Sequence, residues 1–90
     1  MKAVRYSGKF KKYFRTIKSR GYRLHKLEAI IDALRKGEQL SPIQDNHPLK
    51  GPWDSYWSCH VQGDWILIYR DNGDEIELAR TGTHSDLFGR

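Results

Sequence analysis

Ninety residues are enough for one domain and too few for a second core, so residues 1–90 are expected to form a single domain. Hydrophobic residues at 38% and aromatics at 12% can fill one compact interior and exclude a disordered chain, which is aromatic-poor. Sixteen Lys and Arg against eleven Asp and Glu leave a net charge of +5, a balance that favours a polyanionic partner such as nucleic acid, or an acidic protein.

Residues Lys2 to Tyr6 read as a short strand, with Ala3, Val4 and Tyr6 as its apolar members. Ser7 then offers a helix N-cap. Phe10, Tyr13, Phe14 and Ile17 follow at i, i+3, i+4, i+7 spacing and make one apolar stripe. The opposite face carries Lys9, Lys11, Lys12, Arg15 and Lys18, and Gly21 ends the helix. A second helix is predicted from about Tyr22 to Lys36, burying Leu24, Leu27, Ile30, Ile31 and Leu34. It is closed by Arg35, Lys36 and Gly37. The two form an antiparallel helical hairpin.

Gln39 to Pro52 reads as a loop, from Pro42, Pro48, Gly51, Pro52 and the polar run Gln44-Asp45-Asn46. Three strands follow, at Trp53–Val61, Trp65–Arg70 and Ile76–Thr81. The middle one is almost unbroken apolar sequence, which suits a strand buried on both faces. Asn72-Gly73 predicts a type I′ hairpin turn with φ > 0 at both central positions. The expected architecture is therefore α+β, in the order β-α-α-β-β-β, with an antiparallel meander packed on the helical hairpin.

Cys59 is the only cysteine, so an internal disulfide and a stapled secreted mini-domain are excluded. Its alternation with Trp57 and Val61 predicts a small buried hydrophobe. No apolar run approaches the roughly 20 residues that span a bilayer. The first residues run into a strand pattern with no apolar leader core, so a cytoplasmic location without membrane contact is expected.

His25 lies on the polar part of the second helix and is expected at the surface. His47 in the loop, His60 at a strand end, Asp64 in the turn and His84 after the last strand occupy places where small domains mount sites. This set suits RNA cleavage through the 2′-hydroxyl, with one group taking the 2′-OH proton and another protonating the departing 5′-oxygen. Histidine serves both roles near neutrality. Lys50, Arg70 and Arg80 are candidate phosphate clamps. Tyr56, Trp57, Trp65 and Phe88 are candidate base-stacking aromatics, with core packing the alternative for Trp53, Trp57 and Trp65. Strict alternation with Ile76 and Leu78 puts Arg80 on the helix-facing side, so a bulge or the strand end must re-aim it. The histidine spacings match no tight metal-ligand motif, and neither metal nor cofactor is expected.

The ordered stretches His47-Pro48-Leu49-Lys50-Gly51, Trp53, Tyr56, Cys59-His60-Val61, Asp64-Trp65-Ile66-Leu67-Ile68-Tyr69 and Arg80-Thr81-Gly82-Thr83-His84-Ser85-Asp86-Leu87-Phe88-Gly89 resemble the signature of YafQ-like toxins of the RelE/ParE superfamily. The similarity runs over essentially the whole chain. It implies a type II toxin–antitoxin toxin that cuts mRNA in the ribosomal A site, contacts ribosomal RNA, and is neutralised by a DinJ-type antitoxin. The complex, through the antitoxin, would repress its own operator DNA. The resemblance also implies that His84 is the principal catalytic residue, as general acid. His47, His60 and Asp64 would supply the base and orient substrate, Trp65 and Phe88 would shape the site, and Arg80 would hold the scissile phosphate. Which of His47, His60 and Asp64 is the base stays open. The turn before Asp64 has Gln62-Gly63 where the family often has proline, and the Lys and Arg catalytic set of RelE itself is absent. Competing readings are a non-enzymatic ParE-like toxin that poisons a topoisomerase, a cleavage-deficient RNA-binding module, and a metal-dependent hydrolase.

Overall fold

The structure, a computed structural model, describes residues 1–89. β1 (Ala3–Tyr6) leads into α1 (Gly8–Ser19) and α2 (Leu24–Arg35). Then come the two-residue β2 (His47–Pro48), β3 (Trp57–Gln62), β4 (Trp65–Asp71), β5 (Glu75–Thr83) and a short α3 (His84–Phe88). The predicted α+β order is what forms, and β3, β4 and β5 are the antiparallel meander. One sheet results, in the order β1-β5-β4-β3-β2, with β1 parallel to β5.

The cap and stop expected for α1 are in place. Ser7 Oγ accepts the Phe10 amide at 2.9 Å, and Gly21 turns the chain out of α1 at φ +78°. Phe10, Ile17, Leu27, Ile30 and Leu34 pack on one face of the sheet against Cys59, Trp65, Leu67, Tyr69, Ile76 and Leu78. His25 is exposed and Cys59 fully buried, as expected, and burial pushes the Cys59 thiol up to about 12. The other face carries a smaller apolar patch, Ile66, Ile68 and Ala79, covered by Leu49, Trp53, Tyr56 and Leu87. β4 is thus buried on both sides, which is why its sequence shows no alternation.

Several features differ from expectation: α2 begins at Leu24 rather than Tyr22, the predicted loop contains β2, and α3 follows β5. The strand predicted to begin at Trp53 begins at Trp57, because Gly51–Trp53 form a 3-10 turn and Ser55 sits at φ +80°. β5 extends two residues past Thr81, to Thr83. The turn between β4 and β5 is not type I′: Gly73 takes φ +95° while Asn72 keeps an ordinary negative φ. The Asp71 carboxylate accepts the Gly73 amide at 2.9 Å and the Asn72 amide donates to the Glu75 carbonyl at 2.8 Å. Residues 72–74 therefore form a three-residue loop with a single left-handed position.

Two bulges set the faces that matter. Ile68 pairs with Arg80 but Tyr69 pairs with Leu78, leaving Ala79 as an extra residue in β5. Leu78 faces the helices, while Ala79 and Arg80 both turn to the opposite face. The parity conflict at Arg80 is resolved in this way. The Ala79 carbonyl accepts both Ser7 Oγ–H and Arg80 Nη1–H, each at 2.8 Å. In β3, Val61 is the extra residue between the His60–Ile66 and Gln62–Trp65 pairs.

Candidate active site

The register alone brings His47, His60 and Arg80 to one face. His47, Ser58, Ile68 and Arg80 form one row across β2, β3, β4 and β5, and His60, Ile66 and Gly82 form the next. The Trp65–Thr83 pair places the flanking residues, Asp64 and His84, side by side. His84 then opens α3, whose N-cap is Thr83.

The side chains complete the arrangement. His84 Nδ1 is hydrogen-bonded to Asp64 Oδ1. The His84 ring centroid lies 5.7 Å from that of His60 and 6.1 Å from that of Phe88. His60 Nδ1 lies 3.1 Å from the Gly63 carbonyl, and His47 Nδ1 lies 2.8 Å from the Asp45 carbonyl. A carbonyl oxygen only accepts, so Nδ1 of His60 and His47 carries a proton, and the Asp64 carboxylate favours the same on His84. Nε2 of each ring is then the atom left for chemistry.

Asp45 was not singled out from sequence. Its Oδ2 lies 3.8 Å from His47 Nδ1 and 3.9 Å from His60 Nε2, so it stands between the two rings. It is left-handed at φ +46°, closing the 3-10 turn Pro42–Gln44, and its amide donates to the Pro42 carbonyl. An Asp two residues before a histidine in a proline-bounded loop was the available signal, since Asp tolerates that conformation better than most residues.

The cations divide. Arg80 extends along the site face with its guanidinium 5.1 Å from the Trp53 ring centroid. Lys50 is exposed at the start of the Gly51–Trp53 turn. Arg70 is engaged elsewhere, bonded at 2.7 Å to the buried Glu77 and stacked over Tyr56. Glu77 also meets Arg5 at 3.0 Å and accepts from Tyr56 Oη at 3.4 Å, a network that anchors the segment leading into β3.

Of the aromatics, Phe88 is 39% exposed beside His84 and can meet a base. Trp65 cannot. It is 1% exposed on the helix side of the sheet, its Nε1–H donates to Thr81 Oγ1 at 2.8 Å, and Tyr22 meets its ring edge-on. The expected stacking role for Trp65 is corrected to a core role. Trp57 pairs with Tyr69 and lies on the side away from the histidines. A groove of about 560 Å³ opens beside His60, lined in part by Lys26, Ile43, Gln44 and Gln62.

Comparison with known proteins identifies the family. A family described as "Bacterial toxin of type II toxin-antitoxin system, YafQ" matches residues 2–89. The mRNA interferase toxin YafQ of Escherichia coli K12 is 36% identical over 87 residues, 96% of this chain and 95% of that protein. The toxin in a crystal structure of the E. coli DinJ–YafQ complex superposes with a TM-score of 0.90 at 34% identity, over 99% of this chain and 100% of that one. A copper-bound mutant toxin from Helicobacter pylori gives a TM-score of 0.93 at 36% identity, over 98% and 100% of the two chains. Among the described residues here, no three His, Cys, Asp or Glu side chains converge to hold an ion. With the family match spanning nearly every residue, and a like-folded relative above 30% identity, this chain belongs to the YafQ family of bacterial type II toxin–antitoxin toxins.

Proposed function

We propose that the chain is an endoribonuclease that cuts mRNA in the ribosomal A site by histidine acid–base chemistry, without a metal cofactor, and that a DinJ-type antitoxin holds it inactive. The observation that carries this reading is the His60–His84 pair, 5.7 Å apart with Asp64 fixing one ring and the Gly63 carbonyl the other. A scissile phosphate bound beside the two rings would have an acid and a base within reach. His60 Nε2 removes the 2′-OH proton, and protonated His84 gives its Nε2 proton to the leaving 5′-oxygen. Asp64 is occupied in orienting His84, which leaves His60 as the base and His47 beyond it as a contact to the substrate.

Arg80 and Lys50 supply positive charge where the phosphorane gathers negative charge. The Ala79 carbonyl and the Trp53 ring preorganise the Arg80 guanidinium. Phe88 stacks on an unpaired base beside His84. Lys9, Lys11, Lys12, Arg15 and Lys18 on α1 are exposed and, among the described residues, not ion-paired, which suits contact with ribosomal RNA. A crystal structure of a structurally similar YafQ holds DinJ, which supports an antitoxin of that type here. Operator DNA is then met only through the toxin–antitoxin complex. No helix among the described residues is long and apolar enough to cross a membrane, and the reading places the toxin with cytoplasmic ribosomes.

The test compares the wild type with His84→Gln on translating ribosomes at constant free Mg²⁺, with and without a chelator selective for transition metals. Wild type should cut in register with codons, and His84→Gln should lose about 10²- to 10⁴-fold in rate. Growth arrest without mRNA cleavage would sink the nuclease reading and favour a topoisomerase-directed binder. Loss of wild-type cleavage with chelator would restore a metal to the mechanism.

A further inference from the structure

His84 begins a helix of only five residues, too short to hold its own position. Its anchorage therefore has to come from outside. Asp86 provides it twice over. Its carboxylate accepts the Thr83 amide at 3.0 Å, while Thr83 Oγ1 accepts the Asp86 amide at 3.1 Å, a reciprocal cap closing around His84. The same carboxylate takes both ends of the Arg20 guanidinium, at 2.7 and 3.0 Å. Arg20 is the C-cap of α1, with its backbone amide bonded to carbonyls of the last helical turn, so its backbone is part of the rigid helical layer. The planar fork of arginine matches a carboxylate in both distance and direction. Gly82 fits this close approach: a Cβ there would lie 3.1 Å from Asp86 Oδ2.

We propose that the Arg20–Asp86 pair is a positioning clamp for His84. It ties the start of α3 to the end of α1 and holds the imidazole where Asp64 can fix its proton on Nδ1. Arg20 and Asp86 act through His84 and touch no reacting atom. The clamp rests on the assignment of His84 to the chemistry. It goes beyond that assignment by giving a catalytic consequence to a residue on the helical layer, on the other side of the sheet edge from the substrate.

The test uses full-length Arg20→Ala, Asp86→Ala, Asp86→Glu and the Arg20→Ala/Asp86→Ala double variant. Two readouts are needed: long-range proton–nitrogen spectra of the His84 ring, and cleavage kinetics on translating ribosomes. In wild type the ring should show a proton held on Nδ1. Each alanine variant should remain folded, exchange between tautomers, and lose about 10- to 100-fold in kcat with KM nearly unchanged. The double variant should be no slower than the slower single one, because both residues act through one contact. Asp86→Glu should recover most of the rate, since Glu at this position also closes a capping box and reaches Arg20. An unchanged His84 signal in folded Asp86→Ala overturns the clamp, whatever happens to the rate. A changed signal with unchanged cleavage instead overturns the assignment of His84 to the chemistry and leaves the clamp standing.

Discussion

His84 Nδ1 is hydrogen-bonded to the Asp64 carboxylate across the end of the β4–β5 ladder, at the position the Trp65–Thr83 pair dictates. In the proposed mechanism the carboxylate holds the tautomer and plane of the ring without touching a reacting atom, so its removal should still matter. Asp64→Ala is expected to lower mRNA cleavage about 10- to 100-fold, less than His84→Gln does. Single-turnover cleavage on ribosomes stalled at one codon measures both. Equal rates for Asp64→Ala and wild type would remove Asp64 from the mechanism.

The bulge at Ala79 is the device that makes Arg80 available. Deleting Ala79 sets Leu78 and Arg80 side by side against Tyr69 and Ile68, the partners they already have, so ordinary alternation keeps Leu78 on the helix side and Arg80 on the site face. The end of β5, and His84 with it, keeps its register. The deletion should therefore cost less cleavage activity than Arg80→Ala, although it removes the carbonyl that accepts from Ser7 and Arg80. Arg80→Ala itself should lose about 10- to 100-fold, as expected for one preorganised donor at a developing charge. A folded deletion variant that cuts no better than Arg80→Ala would show that the face of Arg80 is not what the bulge contributes.

Much of this arrangement was legible in the chain, for identifiable reasons. Phe10 and Ile17 on α1, and Leu27, Ile30 and Leu34 on α2, announce their burial by helical spacing. Ser7 announces its cap by its place before an apolar stripe. His47, His60, Asp64 and His84 were recognisable as a set, and the register explains why they meet. What the sequence hid is non-local or depends on a single backbone angle. The parallel seat of β1 against β5 cannot be read from periodicity, which carries no information about partners. Asn72 keeps a negative φ because the Asp71 carboxylate captures the Gly73 amide, a competition that an Asn-Gly rule ignores. Asp45 reaches His47 and His60 only because of its left-handed backbone. The apolar run of β4 gives no cue to which face Trp65 takes.

That face decides a stability prediction. Trp65 is fully buried with its indole N–H bonded to Thr81 Oγ1, and the same hydroxyl donates to the Ile66 carbonyl. Trp65→Phe removes the donor and some packing, while Thr81 keeps its bond to the carbonyl. The expected cost is about 1–3 kcal/mol, from the lost hydrogen bond and the unfilled volume. Denaturant melts should show a lower midpoint with an unchanged slope, and cleavage per folded molecule should stay near wild type. A large loss of rate without loss of stability would return Trp65 to the substrate-contacting set.

Acid should reveal the Arg20–Asp86 pair in a defined window. The Arg20 guanidinium, helped by the Thr83 amide and hydroxyl, holds the Asp86 carboxyl down to about 2 from an ordinary value of 3.8. The folded state therefore binds a proton at Asp86 less readily than the unfolded chain does. Its contribution to stability is fully present above about pH 4 and is lost as the pH falls through about 2. Solvent reaches the pair, so the contribution is on the order of 1 kcal/mol, less than the shift alone would suggest. Asp86→Asn keeps a cap acceptor but cannot titrate. Its stability should fall less steeply than that of wild type between pH 4 and 2, with the two curves separated by a constant offset above pH 5. Chemical denaturation followed by tryptophan fluorescence across that range makes the comparison. Parallel acid limbs for the two proteins would mean that Asp86 is not the depressed carboxylate.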